Sequence, residues 1–274
     1  MGSLTQFRRN DLVFDVRDQG PAEGDAAVLL HGFPQDGSCF DAVVPALHEG
    51  GLRTLVPDQR GYSPGARPAS RRAYVLEQMV SDTLALLDTA GVDRAHVVGH
   101  DWGGAVAWAL AARHPQRVRS LVALSTPHPT ALLKSMTRST QALHSWYMGL
   151  FQLPALPEVL LTRTIAASLR RQGLPTAAAE HYAQRMSEPG AATAALNWYR
   201  AMPFSHMVAT PKVRVPTTYA WGEKDFALGR TAAEMTADYV TGPYAFEVLH
   251  AGHWLPEKRP DQVASLVLAR VRDA

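Results

Sequence analysis

The sequence predicts an α/β protein: a mostly parallel sheet covered by helices on both faces, interrupted once by a helical insertion. Three observations carry that expectation. Short continuous apolar runs, such as Ala26–Leu30 (AAVLL) and Val118–Leu124, recur along the chain, as in strands buried on both faces. Segments with apolar residues three and four apart separate them, and strands alternating with helices imply a parallel sheet. The alternation stops between residues 128 and 211, a stretch of about 85 residues that is too long for a simple connection.

Taken in order, residues 6–16 read as one or two strands and 20–25 as a turn-rich connection. Ala26–Leu30 ends at His31-Gly32-Phe33-Pro34, a loop that can aim backbone N–H groups into a site but is equally compatible with a plain turn. Residues 40–48 look helical and 52–56 form the next strand, followed on the same sheet edge by Asp58-Gln59-Arg60-Gly61-Tyr62-Ser63. Leu76, Met79, Val80, Leu84 and Leu87 make the apolar stripe of an amphipathic helix, which Gly91 closes. Residues 95–98 are a strand, and Val118–Leu124 another, ending in Ser125-Thr126-Pro127 without a carboxylate. Alternation resumes with a strand at 214–221, a helix at 232–239, a strand at 245–249 and a last helix at 261–272. The expected division is a core formed by 1–127 and 213–274, with 128–212 as an inserted lid.

Composition narrows the function. Lys and Arg number 27 against 25 Asp and Glu, for a formal net charge of +2, and no basic run tracks a phosphate backbone, so nucleic acid is not an expected partner. The first residues lack the apolar core of a signal peptide, Gln6 stands where a myristoylation motif wants Ser or Thr, and no apolar stretch approaches the ~20 residues of a membrane span. A soluble cytoplasmic protein is expected. The single cysteine, Cys39, excludes an internal disulfide and is expected to pack as a small apolar group. No His, Cys and Asp cluster has the spacing of a metal site.

The reactive stretch is Gly99-His100-Asp101-Trp102-Gly103-Gly104, which joins the strand at 95–98 to an Ala-rich helical pattern. Strand, tight turn and helix, with small residues around a reactive one, is the layout of a nucleophile elbow. Its centre here is Asp101. A serine displacing a group from a saturated carbon would leave an ether, whereas a carboxylate leaves an ester whose carbonyl water can then attack. Asp101 therefore points to alkyl substrates, unless it merely caps the helix. Clearing the ester needs a base and a carboxylate to orient it, in the chain order nucleophile, acid, histidine. Asp225, in WGEKD, and His253, in AGHW, follow the last two strands and fit; Glu223 and His250 are their nearest competitors.

At this point the chain resembles the epoxide hydrolases of the α/β-hydrolase fold. The blocks are HGFPQ at 31–35, DQRGYSPGARP at 58–68, GHDWGG at 99–104, WGEKD at 221–225 and GHWLPEKRP at 252–260. The resemblance implies an eight-stranded, mostly parallel sheet with an inserted helical cap, and an epoxide and water as substrates with no cofactor. It also implies that Tyr147 and Tyr199, in the cap segments WYMGLFQ and NWYR, hydrogen-bond the epoxide oxygen. A phenol is acidic enough to protonate the alkoxide that ring opening generates. Backbone N–H groups of Phe33 and Trp102 are expected to hold the oxyanion, and His31, Pro34, Phe151 and Trp254 to line the pocket. A monomer or homodimer fits the resemblance equally.

Two rival readings remain open on the sequence. A haloalkane or haloacetate dehalogenase would use the same Asp101, but a halide leaving group needs donors and no proton, which makes a tyrosine pair unnecessary. Phe33 lacks the side-chain donor that many haloalkane dehalogenases resemble one another in carrying, and Trp102 and Ala105 stand where haloacetate dehalogenases carry arginines. A non-catalytic ligand receptor on the same scaffold is the other, since a fold does not fix a function.

Overall fold

The computed structural model describes residues 3–139, 141, 146–206 and 210–274; positions 140, 142–145 and 207–209 of the segment expected to be helical, and residues 1–2, lie outside them. Eight strands form one sheet in the order β1-β2-β4-β3-β5-β6-β7-β8. They are β1 Gln6–Arg9, β2 Leu12–Gln19, β3 Ala26–Leu30, β4 Arg53–Pro57, β5 Ala95–His100, β6 Val118–Leu124, β7 Thr217–Gly222 and β8 Tyr244–Leu249. β1 and β2 pair antiparallel, β2 pairs antiparallel with β4, and every later pairing is parallel.

The apolar runs explain the order. β3, β5 and β7 are buried at every residue, as strands covered on both faces must be, whereas β8 at the sheet edge is only half-buried. The covering helices include α1 Val44–Glu49, α2 Leu76–Thr89 and α3 Trp102–Arg113. A single residue, Asp101, joins β5 to α3, and the first turn of α3 can press onto the sheet only because residue 103 has no side chain: a Cβ at Gly103 would lie 2.1 Å from the Leu30 carbonyl oxygen.

After β6 the chain leaves the sheet and returns only at β7. Its described residues form α4 Pro129–Ser135, α5 Trp146–Leu150, α6 Leu156–Arg171, α7 Thr176–Met186 and α8 Ala191–Arg200, with no strand among them. The C-terminal part of the core adds α9 Arg230–Met235, α10 Leu255–Lys258 and α11 Pro260–Arg272. No described helix is long and apolar enough to cross a membrane. Cys39 is buried and free, with burial pushing its thiol up.

Three boundaries differ from the sequence expectation. The helix expected over 40–48 is a 3-10 turn at Gly37–Phe40 followed by a helix that starts only at Val44, because Pro45 is tolerated in a first turn and not in a helix interior. The strand expected from residue 214 begins at Thr217, since Pro216 has no N–H to give to a ladder. The helix at 232–239 is α9 passing into a 3-10 turn at Thr236–Tyr239.

The helical segment is fastened to the core through the loop after β4. Arg60, 4% exposed, makes two hydrogen bonds to Asp82 of α2, at 2.7 and 2.6 Å, and Arg9 of β1 makes a third at 3.0 Å. The Arg60 carbonyl accepts the Trp198 indole N–H of α8 at 2.7 Å. Removing one partner of a buried ion pair strands the other charge, so Asp82→Ala should lower unfolding free energy by about 3–5 kcal/mol. Urea unfolding measures it; a loss near zero would mean that Arg60 is held by other contacts.

Candidate active site

The strand order reverses direction about β3: the chain moves from β3 to β4 on one side and later to β5 on the other. Loops leaving β3 and β5 therefore diverge, which opens a crevice beyond their C-terminal ends. Gly32-Phe33 enters it from β3 and Asp101 from β5.

Asp101 sits at φ 50°, ψ −120°, a backbone region that a residue with a side chain takes only under constraint. Its N–H donates to the Leu124 carbonyl at 3.2 Å, and its carbonyl accepts from the Thr126 hydroxyl at 2.7 Å and from Ala105 N–H at 3.1 Å. Its side chain makes no capping hydrogen bond to α3, so the helix-cap reading fails. Instead Oδ1 accepts the Phe33 N–H at 2.9 Å and Oδ2 faces His253 Nε2 at 3.5 Å.

His253 Nδ1 lies 2.8 Å from Asp225 Oδ2, and Asp225 Oδ1 accepts the N–H groups of Ala227 and Leu228 at 2.8 and 3.0 Å. That second oxygen fixes the carboxylate plane, and so the imidazole. The competitors are elsewhere: Glu223 and His250 pair with each other on the surface, where the His250 side chain is 75% exposed. Burial alone would push Asp101 up, but the hydrogen bond and positive charge of His253, together with the Phe33 N–H, hold it below the usual carboxylate range. For His253 burial works downward, and the Asp225 and Asp101 carboxylates outweigh it, raising the imidazole to about 10.

A cavity of about 390 Å³ opens on these groups, lined by Asp101, His253, Phe33, Pro34, Phe151 and Trp254 and roofed by Tyr147 and Tyr199. The two tyrosine rings have centroids 6.0 Å apart, and Tyr199 packs edge-on against Phe33 and Trp102. Burial raises both phenols, and the Asp101 carboxylate raises them further, so each stays protonated as a donor. A smaller cavity of about 40 Å³ shares Asp101, Tyr147 and Tyr199 and adds Trp102.

One expected lining residue is misplaced. His31 is fully buried and does not reach the cavity: its Nε2 accepts the Gln59 N–H at 3.0 Å, and its ring packs on Tyr62 and Trp198. A residue pointing the opposite way from Gly32 organises the loop rather than facing its ligand. Sequence reasoning also missed several contributors. Leu161, Ile165 and Leu169 of α6 form an apolar wall of the cavity, a stripe legible in their four-residue spacing. Ser125 and His100 both donate to the His253 carbonyl, at 2.6 and 2.9 Å, contacts no spacing rule announces.

Comparison with known proteins follows the same line. Residues 26–260 match the family model described as alpha/beta hydrolase fold. The chain is 33% identical over 284 residues to AB hydrolase superfamily protein YfhM of Bacillus subtilis, covering 99% of each chain. It is 31% identical over 317 residues to Epoxide hydrolase A of Mycobacterium tuberculosis, covering 98% of this chain and 97% of that one. The crystal structure of Epoxide Hydrolase A from Mycobacterium thermoresistibile superposes with a TM-score of 0.86 at 26% identity, covering 97% of each chain.

The approach of the two loops leaves no room at residue 32: a Cβ there would lie 2.4 Å from the Asp101 Cβ. Gly32→Ala should displace Phe33 N–H from Asp101 and reduce turnover of any substrate the wild-type protein accepts by about 100-fold, since a misplacement of about 1 Å can cost that much. Steady-state kinetics with a thermal melt check it; an active, equally stable variant would show that the Phe33 contact is dispensable.

Proposed function

The chain belongs to the α/β-hydrolase fold family, and from that premise we propose that it is an epoxide hydrolase, which converts an epoxide and water to a vicinal diol through an ester on Asp101. One observation carries the reading above the others: an ionised carboxylate, a histidine–carboxylate pair and two protonated phenols converge on one cavity. Residues 128–212 act as the cap over a core made of 1–127 and 213–274.

Asp101 Oδ2, the oxygen not bound to Phe33, attacks an oxirane carbon. The breaking C–O bond puts charge on the ring oxygen, which Tyr147 and Tyr199 hydrogen-bond, and one of them gives it a proton. The ester no longer carries the anion that helped raise His253. The histidine proton then passes to the tyrosinate, leaving a neutral base beside the ester. His253, oriented by Asp225, next takes a proton from water as its oxygen attacks the Asp101 carbonyl carbon. The oxyanion forms at Oδ1, where the Phe33 N–H already lies 2.9 Å away, and Trp102 N–H, which as the first residue of α3 has no intrahelical acceptor, supplies a second donor. Collapse breaks the carbonyl carbon–Oδ2 bond; the leaving alkoxide takes the second proton of the attacking water from the new carboxyl group and departs as the diol, while the first proton remains on His253. Atoms and charges return to the starting state.

Diol production from styrene oxide, with no bromide released from a bromoalkane, tests the reaction. A phenol pair has no task when halide leaves. Bromide release without diol would establish dehalogenation; neither activity would favour a non-catalytic receptor.

His253→Gln should let the ester form and persist, so that mass spectrometry of the intact protein finds the mass of one epoxide added; an unmodified protein with normal turnover would remove His253 as the base. The double variant Tyr147→Phe, Tyr199→Phe should slow ester formation by about 10²- to 10⁴-fold, the range for losing general-acid help. Either single variant should fall between. Rapid-quench mass spectrometry reads these rates, and an unaffected double variant would take the tyrosines out of the reaction.

A further inference from the structure

Behind His253 the described residues hold a second line of hydrogen-bonded polar side chains out of water. It starts at Glu257 in α10. The carboxylate Oε1 lies 2.6 Å from the Gln35 amide and accepts the Tyr182 phenol of α7 at 3.1 Å, while Oε2 is buried and meets no donor among the described residues. The other end of the Gln35 amide is 2.8 Å from His100 Nδ1. His100 Nε2 is 2.9 Å from the His253 carbonyl oxygen. Gln35 and His100 are fully buried.

Protons can be placed along this line in two ways. The His253 carbonyl can only accept, so His100 donates from Nε2. If the Gln35 oxygen faces His100, Nδ1 must donate as well, and His100 is an imidazolium with Glu257 as its counter-ion across the amide. Turning the amide by 180° exchanges its ends in the same space. Its NH₂ then donates to a neutral His100, its oxygen faces Glu257, and Glu257 must carry a proton on Oε1.

Three observations favour the second arrangement. A separation of 2.6 Å is ordinary for O–H···O and short for N–H···O. A buried oxygen without a donor is far costlier on a carboxylate than on a neutral acid. Burial pushes the Glu257 carboxyl up and His100 down to about 3, so that both favour the neutral form. The arrangement gives up one contact, the 3.2 Å bond from Gly32 N–H to the amide oxygen.

We propose that Glu257 is a positioning residue that stays protonated and heads a line of donors, Glu257 to Gln35 to His100, which ends on the carbonyl of His253 and fixes that imidazole against Asp225. Tyr182 ties the same line to the helical segment above it. The proposal rests on His253 being the base that hydrolyses the ester. It assigns the line to the hydrolytic half-reaction, because ester formation at Oδ2 needs no base.

Two readouts test it. Infrared difference spectra of the resting enzyme, wild type minus Glu257→Gln, should contain a protonated-carboxyl C=O band. In rapid-quench mass spectrometry with styrene oxide, Glu257→Leu should form ester at the wild-type rate and hydrolyse it about tenfold more slowly, roughly the rate equivalent of one lost hydrogen bond. Glu257→Gln, whose amide can donate to Gln35, should rescue most of that loss. A carboxylate band at Glu257 in the infrared, equal slowing in the two variants, or slowing of ester formation instead of hydrolysis would each overturn the proposal. If the wild type forms no ester with the epoxide, the proposed reaction fails, and the infrared spectrum alone decides whether Glu257 heads the line.

Discussion

A carboxylate kept out of bulk water stays ionised only if its surroundings replace what water gave it, and the molecule is arranged around meeting that condition at Asp101. One oxygen has the Phe33 N–H, the other faces a histidine that two carboxylates hold in its charged form. Neither contact exists without the sheet. The reversal of strand order at β3 brings Gly32-Phe33 and Asp101 together from diverging loops, and hydrogen bonds from Ala105 and Thr126 to the Asp101 carbonyl hold the strained turn. The strain has a result: it lifts the side chain clear of α3, so that it cannot cap the helix and is free to meet a substrate.

The same economy of contacts governs the histidine. Its ring is set by Asp225, which is itself set by two backbone N–H groups, and its backbone carbonyl is gripped by Ser125 and His100. These restraints come from the end of β5 and the loops after β6 and β7, so the base is positioned by the neighbouring strands rather than by its own loop. The roof over the cavity is softer in kind. Tyr147, Tyr199 and Phe151 touch mainly through ring edges, and apolar residues of α6 complete the wall. Edge-to-face contacts tolerate small shifts at little cost, which suits a surface that must accommodate a substrate.

What could be read from the sequence follows from how local each signal is. The buried strands announce themselves because a strand covered on both faces has to be apolar at consecutive positions, and Asp101, Asp225 and His253 stand out because each follows a strand with a glycine nearby. Element ends went astray where proline overruled a run of otherwise suitable residues, at Pro45 and Pro216. His31 was misjudged because a loop's side chains alternate in direction, and only the structure reveals that this imidazole turns inward to Gln59. The Glu257, Gln35 and His100 line could not be found from spacing at all: each member lies in one of the quoted blocks, but they are separated by up to 222 positions and no spacing rule pairs them.

The proposed reaction stands or falls on the covalent ester. The most direct measurement is a single turnover in ¹⁸O-water with enzyme in excess over styrene oxide. The ester route sends the water oxygen to Asp101 and an Asp101 oxygen to the diol, so a peptide containing Asp101 should gain one heavy oxygen while the diol gains none. Heavy oxygen in that first diol, with an unlabelled Asp101, would mean that water attacks the epoxide directly and would contradict the account.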